Sequence, residues 1–310
     1  MIQDPKNEEK ENEDDSQIQG EKKDEFMKIL MQSISYWLRK DDKPAEQFIK
    51  EMLEYCEKDY KTDLYPLEFI NSKVVDLIYM SNKLEGTIPA DDDQHQTIKF
   101  LLDLTLKEIE SFEAEPWPVD GNKKGQANKS QMTQHLLAYK YLCSKESLKE
   151  PLTVDKIKKT HELLLNKSVD ENGQNVLCGS YRTQNVFVGN HQYLKPEIIE
   201  NKMDRIVDEF NQSSDHFVLR TAKLFYETIN LHPFIDGNGR LCRLLITYAL
   251  MKSGVPFAVP IFASSKSQKR YLDAIFRKRY KNDYSFLLQI ILYSLYCTRK
   301  SFEDKSNNTP

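Results

Sequence analysis

Residues 232–243 carry the strongest signal in this chain and read His-Pro-Phe-Ile-Asp-Gly-Asn-Gly-Arg-Leu-Cys-Arg. Glycine accounts for only 10 of 310 residues, yet two glycines flank Asn238 directly before a predicted helix from Gly239 to Met251. Glycines at a helix start let several backbone N–H groups converge, and the helix N-terminus adds unpaired donors and a favourable dipole. The stretch therefore predicts an anion site, for which phosphate is the commonest candidate.

Four side chains around this loop suit phosphoryl chemistry. Arg240 and Arg243 lie one helical turn apart and can contact two different phosphates. Asp236 offers a hard oxygen ligand, and one carboxylate together with phosphate oxygens is a usual way to hold Mg²⁺. His232 is the only side chain here that titrates near neutral pH, so it can accept a proton. Together they predict a magnesium-bound phosphate ligand beside a general base.

The same stretch resembles the signature of the Fic family, His-x-Phe-x-Asp/Glu-Gly-Asn-Gly-Arg-x-x-Arg, at every defined position. The resemblance implies an all-α fold, a Fic-type helical bundle with a small β-hairpin flap. It also implies a protein adenylyltransferase that moves AMP from ATP, with Mg²⁺, onto a Ser, Thr or Tyr hydroxyl of a target protein. His232 is then the catalytic base and Asp236 the metal ligand. The phosphate-binding residues that it implies are Gly237, Asn238, Gly239, Arg240 and Arg243.

Residues 174–194 interrupt the helical pattern. They contain Gly179-Ser180-Tyr181-Arg182-Thr183, followed by Val186-Phe187-Val188-Gly189. Short β-branched and aromatic pieces between glycines predict a small hairpin. The segment is similar to the flap of Fic proteins, which positions the target by strand-type backbone pairing; an ordinary surface hairpin is the alternative. The flap residues assigned to target binding are Thr183, Val186, Phe187, Val188 and Gly189.

The segment 81–86 reads Ser-Asn-Lys-Leu-Glu-Gly. It is similar to the inhibitory motif Ser/Thr-x-x-x-Glu-Gly/Asn of Fic proteins, and it precedes the core as in the class with an N-terminal inhibitory helix. Glu85, followed by the cap-type glycine Gly86, can pair with Arg243 and take the place of the ATP γ-phosphate, because both groups compete for one guanidinium. Ser81 can hydrogen-bond the same region. A solvated glutamate before a cap glycine is the alternative.

Periodicity and composition divide the chain into parts. The first apolar stripe at helical spacing runs from Phe26 to Leu38, and the predicted inhibitory helix spans 72–86. A segment rich in Pro, Gly, Asn and Lys at 116–130 predicts a loop. The predicted parts are a disordered acidic tail at 1–24, an N-terminal helical region at 25–149, a Fic core at 150–297 and a flexible tail at 298–310.

The composition argues against several classes of protein. The longest apolar run, from Leu287 to Cys297, is far below the ~18 residues that span a bilayer, so no membrane partner is expected. The first 25 residues hold ten acidic side chains and four lysines of a chain with net charge −4, so the remainder is near neutral and predicts no nucleic-acid partner. Five cysteines without a Cys-x-x-Cys pair predict reduced thiols and a cytoplasmic protein. A homodimer stays open.

The residues leave other functions open. In the same site Glu85 can orient a water and His232 can protonate a leaving hydroxyl, which gives a deAMPylase that removes AMP from a modified protein. An inert Fic-fold binding module is a further alternative. A substitution at position 232 or 236 would favour it, but His232 and Asp236 are both present. The six histidines lack metal-hydrolase spacing, and Cys178 or Cys242 would need a histidine partner to act as a nucleophile. The donor base and the target protein are not fixed by the sequence.

Overall fold

The structure of the chain is a computed structural model. It describes residues 20–35, 37–38, 43–88, 92–106, 117–118, 129–169, 174–188, 191–261 and 265–307. Residues 1–19 of the predicted acidic tail, most of the predicted loop at 116–130, and Gly189 of the predicted flap lie outside the described residues.

Helices dominate the described part of the chain. In chain order they are α1 (20–30), α2 (Ala45–Glu57), α3 (Leu67–Leu84), α4 (Gln94–Thr105), α5 (Lys129–Leu142), α6 (Lys145–Lys149), α7 (Val154–Leu165), α8 (Ile199–Gln212), α9 (Phe217–Leu231), α10 (Asn238–Lys252), α11 (Ser265–Lys281) and α12 (Ser285–Asn307). Short 3₁₀ turns lie at Thr62–Leu64 and Pro196–Ile198. The predicted all-α class is confirmed.

Two very short strand pairs accompany the helices in the described residues. β3 (Phe187–Val188) and β4 (His191–Gln192) pair antiparallel and form the predicted hairpin. β1 (Trp117–Pro118) and β2 (Ser168–Val169) pair in parallel. The sequence analysis placed Trp117 and Pro118 in a loop and missed this pair, because the two segments lie far apart in the chain and each is only two residues long.

The core is organised around α10, which is buried on all sides. Its residues Cys242, Ile246 and Leu250 pack into one apolar cluster with α1, α2, α9, α11 and α12. Its residues Leu241 and Leu245 pack into a second cluster with α3, α5, α7 and α8. A helix surrounded by apolar neighbours on every face has little freedom to move. The arginines that α10 carries are therefore fixed to the protein interior.

The two ends of the described chain differ from the predicted tails. Residues 20–24 belong to α1, and α12 continues to Asn307 instead of ending near 297. Arg299 is buried, and its Nη1 donates to the carbonyl oxygens of Tyr55 at 2.8 Å and Lys58 at 2.9 Å. These carbonyl groups lie in the last turn of α2 and directly after it, so the start of the predicted C-terminal tail is part of the fold. The boundary at 149–150 stays a prediction.

The first apolar stripe does not form one helix. Its helix ends at residue 30, although apolar spacing continues to Leu38. The amide of Gln289 in α12 donates to the carbonyl of Leu30 at 2.9 Å and that of Ser33 at 2.7 Å, and it accepts the N–H of Ser35 at 2.9 Å. A side chain distant in sequence thus satisfies the backbone that would otherwise continue the helix.

Two expectations about protein class can be compared with the described residues. None of the described helices combines the length and the apolar character that crossing a membrane requires. The described cysteines form no disulfide, in line with the predicted reduced thiols.

Candidate active site

His232 lies just beyond the end of α9 in a conformation that few side chains adopt. Its backbone has φ 51° and ψ 61°, and its N–H donates to the carbonyl of Thr228 at 3.1 Å. A left-handed residue other than glycine costs about 1–2 kcal/mol, so the surrounding structure must hold it there. The ring of Tyr193 stacks on the imidazole with the centroids 4.2 Å apart. The turn and the stacked ring together orient His232.

Arg182 ties the flap segment to this turn. Its side chain is buried, and Nε donates to the carbonyl of His232 at 2.7 Å. Its Nη1 and Nη2 donate to the carbonyl oxygens of Gln184 at 2.8 Å and Leu194 at 2.5 Å, and its backbone N–H donates to Pro233 at 3.0 Å. One guanidinium therefore fixes the flap and the peptide that carries the imidazole in a single arrangement.

His161 in α7 supports the loop from below. Its Nε2 donates to the backbone carbonyl of Asp236 at 2.9 Å, and its Nδ1 accepts the N–H of Gly179 at 2.9 Å. The ring stacks on Phe234 with the centroids 3.7 Å apart. Burial is the main cause that lowers the pKa of His161 to about 4. The ring is therefore neutral near pH 7, which suits one donor and one acceptor nitrogen.

The loop itself is closed by Gly237 and Asn238. Gly237 adopts φ 73°, and a Cβ there would lie 3.0 Å from Cδ1 of Leu165, so glycine is required for both conformation and space. The Oδ1 of Asn238 accepts the N–H of Phe234 at 3.1 Å, and its Nδ2 donates to the Phe234 carbonyl at 2.9 Å. The side-chain amide of Asn238 therefore closes the loop, and its contact with phosphate stays a prediction.

Arg240 has spare donors at the N-terminus of α10. Its Nη2 donates to Oδ2 of Asp236 at 2.9 Å, and its side chain is almost fully buried. Its Nε and Nη1 are buried without a hydrogen-bond partner among the described residues. Buried donors of this kind are costly unless something accepts from them. Together with the first N–H groups of α10, they form a cradle suited to an anion.

Arg243, one turn further along α10, is fully buried and contacts the C-terminal turn of α3. Its Nε donates to Oγ of Ser81 at 2.7 Å, and its Nη2 donates to the Ser81 carbonyl at 3.2 Å and to Oε1 of Glu85. Burial would raise the pKa of the Glu85 carboxyl, but the guanidinium groups of Arg243 and Arg240 hold this pKa below its usual value. Glu85 is therefore ionised and paired.

Glu85 also covers the start of α10. A Cβ placed on Gly239 would lie 2.5 Å from Oε1 of Glu85 and 3.2 Å from Nη1 of Arg243. The carboxylate thus lies directly against the helix turn that bears the predicted phosphate cradle. A carboxylate and a phosphate oxygen accept hydrogen bonds from the same kinds of donor.

The electrostatic surroundings keep His232 neutral. Burial is the largest cause that lowers the pKa of His232 to about 4, and the charges of Arg182 and Arg279 act in the same direction. The carbonyl of Ile229 and the carboxylate of Glu85 oppose this shift without cancelling it. An imidazole that is neutral at pH 7 can accept a proton. Its Nδ1 atom is buried, which leaves Nε2 as the nitrogen that can meet a substrate.

The structure brings most of the predicted residues to one place. Ser81 and Glu85 reach Arg243, and Gly86 follows at φ 73° as the predicted cap glycine. In the flap, Thr183 is exposed and Phe187 is 60% exposed. Val186 is partly buried, and its carbonyl accepts the N–H of Tyr193 at 3.1 Å. Val188 pairs with His191 of β4. Target binding by these flap residues stays a prediction.

Sequence reasoning missed four residues that shape the site. Arg182 and His161 act through backbone groups, and Tyr193 acts by stacking. Arg279 of α11 lies over the Tyr193 ring at 5.4 Å, and its Nε donates to Oδ1 of Asn230 at 3.1 Å. Arg182 lies inside the predicted flap segment, and an arginine within such a short segment was the one sequence feature that could have indicated its role. The other three had no local signal.

The residues at this site suit a cation that is bound jointly by the protein and by phosphate oxygens of a substrate, rather than by protein ligands alone. The described residues contain no cluster of three or more His, Cys, Asp or Glu side chains arranged for a metal. Asp236 contributes one carboxylate, which Arg240 orients, and its side chain is 36% exposed. Mg²⁺ commonly keeps waters and binds through one or two carboxylates plus substrate phosphates. Asp236 is the residue that would hold it.

A cysteine nucleophile is not favoured at this site. Burial raises the pKa of the Cys242 thiol well above its usual value, although the charge of Arg243 acts against it. Burial likewise raises the pKa of Cys178. Both thiols therefore stay protonated near pH 7, whereas a nucleophile must be a thiolate.

Comparison with known families covers the loop and the helix start at 232–243. The model of the Fic/DOC family matches residues 151–250. A Fido domain-containing protein of Dictyostelium discoideum is 37% identical over 131 residues, which cover 40% of this chain and 90% of that protein. Protein adenylyltransferase fic-1 of Caenorhabditis elegans is 32% identical over 133 residues, 42% of this chain and 24% of that protein. Protein adenylyltransferase Fic of Drosophila ananassae is 29% identical over 171 residues, 54% of this chain and 32% of that protein.

Solved structures share the fold over a longer stretch. A Fic domain containing signaling protein from Bacteroides thetaiotaomicron matches with a TM-score of 0.59 at 21% identity. The matched region covers 83% of this chain and 96% of that protein's chain. Residues 134–508 of Fic-1 from Caenorhabditis elegans give a TM-score of 0.57 at 18% identity and cover 85% of this chain and 72% of that one. These likenesses concern the fold alone, and they confirm the predicted helical bundle.

Proposed function

This chain belongs to the Fic/DOC family, and we propose that it is a protein adenylyltransferase that transfers AMP from ATP to a hydroxyl side chain of a target protein. The observation that carries the proposal is the arrangement around the start of α10, which bears the spare donors of Arg240 and the buried guanidinium of Arg243 and follows the neutral His232 by one short loop. Relatives from nematode and fly bear the name protein adenylyltransferase, although the matched region is only about a third or less of their length.

The triphosphate of ATP binds in the cradle in this proposal. The N–H groups of the first turn of α10 and the buried Nε and Nη1 of Arg240 donate to phosphate oxygens, which satisfies donors for which the described part of the chain offers no acceptor. Arg243 receives the terminal phosphate once Glu85 has moved. Asp236 would hold Mg²⁺, which when bound would neutralise part of the phosphate charge.

His232 handles the proton. Its Nε2 accepts the proton of a Ser, Thr or Tyr hydroxyl, and the hydroxyl oxygen forms a bond to the α-phosphorus. The bond from that phosphorus to the bridging oxygen breaks, and pyrophosphate leaves. The residues act by positioning and charge stabilisation, because phosphoryl-type transfer needs little covalent help from the protein. The flap holds the target segment beside the imidazole.

Glu85 restrains this activity in the proposal. Its carboxylate occupies Arg243 and lies against Gly239. ATP with its γ-phosphate on Arg243 must therefore displace it. Glu85 lowers the affinity for a productively placed triphosphate without touching the reacting atoms.

The test uses α-³²P-labelled ATP with Mg²⁺ and follows self-labelling of the full chain in a Glu85→Gly background. His232→Ala should reduce labelling by at least a hundredfold, the low end for loss of a general base, while ATP affinity measured by calorimetry stays within about twofold. His95→Ala, an exposed histidine at the start of α4, is the matched control and should label normally. Undiminished labelling by His232→Ala would overturn the assignment of the base. Absence of labelling in every variant, with every nucleotide triphosphate, would leave an inert binding module.

Removal of AMP is the second candidate. It is favoured by the ionised Glu85, which is 33% exposed and close enough to influence the pKa of His232. A carboxylate in that place can orient a water toward an AMP-modified side chain. Glu85→Gly separates the two activities, since it should raise AMP transfer and abolish AMP removal from a pre-labelled protein.

A further inference from the structure

Asn82 is the one buried residue among positions 82–87, at the end of α3. Its Nδ2 donates to the carbonyl of Ile78 at 2.8 Å. Its backbone carbonyl accepts from the N–H of Thr87 at 3.1 Å and from Oγ1 of Thr87 at 2.9 Å, and its Oδ1 accepts from the same hydroxyl at 3.1 Å. Asn82 and Thr87 thus close the turn that carries Glu85 between them.

His135 in α5 connects this turn to the rest of the core. It is fully buried, and its Nδ1 lies 3.1 Å from Nδ2 of Asn82. An amide nitrogen only donates, so Nδ1 accepts and the neutral ring carries its hydrogen on Nε2. Burial first, and then the charges of Arg240 and Arg243, keep the pKa of His135 well below its usual value. The imidazole is therefore a permanent acceptor for Asn82 near neutral pH.

The rest of the turn has little burial to hold it. Lys83, Glu85 and Gly86 are exposed, and a Cβ on Gly86 would meet nothing within 4 Å. Arg243, by contrast, is rooted in α10 and cannot follow a moving partner. The position of the Glu85 carboxylate on Arg243 therefore depends on the contacts that fix its own backbone.

We propose that Asn82 and His135 are positioning residues that hold Glu85 on Arg243. The proposal rests on the proposed function, in which Glu85 excludes the terminal phosphate of ATP. When the contact between the Asn82 amide and the His135 imidazole is lost, the turn shifts and Glu85 leaves Arg243. ATP then binds more tightly and AMP transfer rises, although Glu85 itself is unchanged.

The experiment compares three variants of the full chain. Asn82→Ala removes the side-chain hydrogen bonds to Ile78, Thr87 and His135. His135→Phe removes only the imidazole nitrogen that accepts from Asn82. Thr87→Val removes one hydroxyl at nearly constant shape. Each net hydrogen bond is worth roughly 1 kcal/mol, which is about a fivefold change in affinity. His135→Phe removes one bond and should tighten ATP·Mg²⁺ binding by about fivefold, whereas Asn82→Ala removes several and should tighten it by at least tenfold. Thr87→Val removes a hydroxyl that donates to two oxygens of Asn82 and should tighten it by about fivefold. Calorimetry with ATP·Mg²⁺ measures affinity, and α-³²P self-labelling measures transfer.

Two controls separate positioning from general destabilisation. Asn211→Ala removes a similar amide that bridges the backbone N–H and carbonyl of Leu152, at 3.0 and 2.8 Å. It should lower the melting temperature comparably and leave ATP affinity and transfer unchanged. In a Glu85→Gly background, Asn82→Ala should add nothing further, because the residue that it positions is already gone.

The possible results distinguish this inference from the proposed function. If Glu85→Gly tightens ATP binding and the folded Asn82, His135 and Thr87 variants do not, the positioning role is wrong and the inhibitory role of Glu85 stands. A further gain from Asn82→Ala in the Glu85→Gly background would also overturn it. If Glu85→Gly itself leaves ATP affinity unchanged, the proposed inhibition fails and the positioning role fails with it. Calorimetry decides each case even where no transfer is seen.

Discussion

Glu85→Gln is the most informative single change, because it keeps the shape of the side chain and removes its charge. The ion pair joins a fully buried Arg243 to a carboxylate that is 33% exposed. A charge-assisted hydrogen bond is worth about 1.5–3 kcal/mol and a neutral one about 1 kcal/mol. The partial exposure of Glu85 reduces the difference further by screening. We therefore expect Glu85→Gln to lose about 0.5–1.5 kcal/mol of the pairing.

This loss should appear with opposite signs in two measurements. A competitor weakened by about 0.5–1.5 kcal/mol gives ATP·Mg²⁺ roughly two- to thirteenfold higher affinity by calorimetry. Without nucleotide, the buried Arg243 keeps its bonds to Ser81 but loses the neutralising charge. For a chain of this size the melting temperature should fall by about 2–5 °C. Added ATP should then raise it more in the variant than in the wild type.

The matched control is Glu68→Gln, an exposed glutamate in the first turn of the same helix. It should leave ATP affinity unchanged and the melting temperature within about 1 °C. A Glu85→Gln protein with a lowered melting temperature and wild-type ATP affinity would refute the reasoning, because Glu85 would then stabilise the fold without competing with phosphate. A higher melting temperature without ATP would refute the stabilising ion pair itself.

Two further predictions concern the imidazole and its support. Because burial lowers the pKa of His232 to about 4, the rate of self-labelling of the Glu85→Gly protein should stay constant as pH falls from 7.5 to 6. The rate should decline only as pH approaches this folded-state pKa and the ring is protonated. Initial rates across pH 4.5–8 test this, and a decline centred near 6.5, the pKa of an ordinary histidine, would contradict it. Arg182→Met removes donors from several buried carbonyl groups and should lower the free energy of unfolding by about 3–5 kcal/mol and the labelling rate at least tenfold. Denaturant titration and α-³²P transfer measure these changes, with Arg205→Met, at an exposed ion-pair residue in α8, as control. A stable variant with normal labelling would show that Arg182 does not set the turn.

The sequence predicted the residues of the site better than their surroundings. The stretch 232–243 combines glycines, a base, a carboxylate and two arginines within one loop and one helix turn, so its local geometry follows from its own spacing. The contact of Glu85 with Arg243 was expected from the resemblance and from the chemistry of competing acceptors. Both signals are compact, which is why they can be recognised without a fold.

Contacts that join distant segments could not be predicted in the same way. Arg182 and His161 act on backbone carbonyl and N–H groups, which carry no side-chain signature in the sequence. Asn238 was expected to contact phosphate, but its amide is used inside the loop because Phe234 needs a partner for both backbone groups. The end of the first helix at residue 30 depends on Gln289, more than 250 positions away. At that helix end a tertiary contact overrode local periodicity, whereas the Asn238 amide bonds a residue only four positions away.

The burial of α10 on every face has a consequence for how a nucleotide enters. Arg243 is anchored in both apolar clusters through its helix, so its guanidinium stays where it is when a ligand arrives. All adjustment must come from the opposite side, where an exposed turn holds the carboxylate. In the proposed function, arrival of a triphosphate is therefore an exchange of acceptors on a stationary donor, and the displaced carboxylate must move outward into solvent.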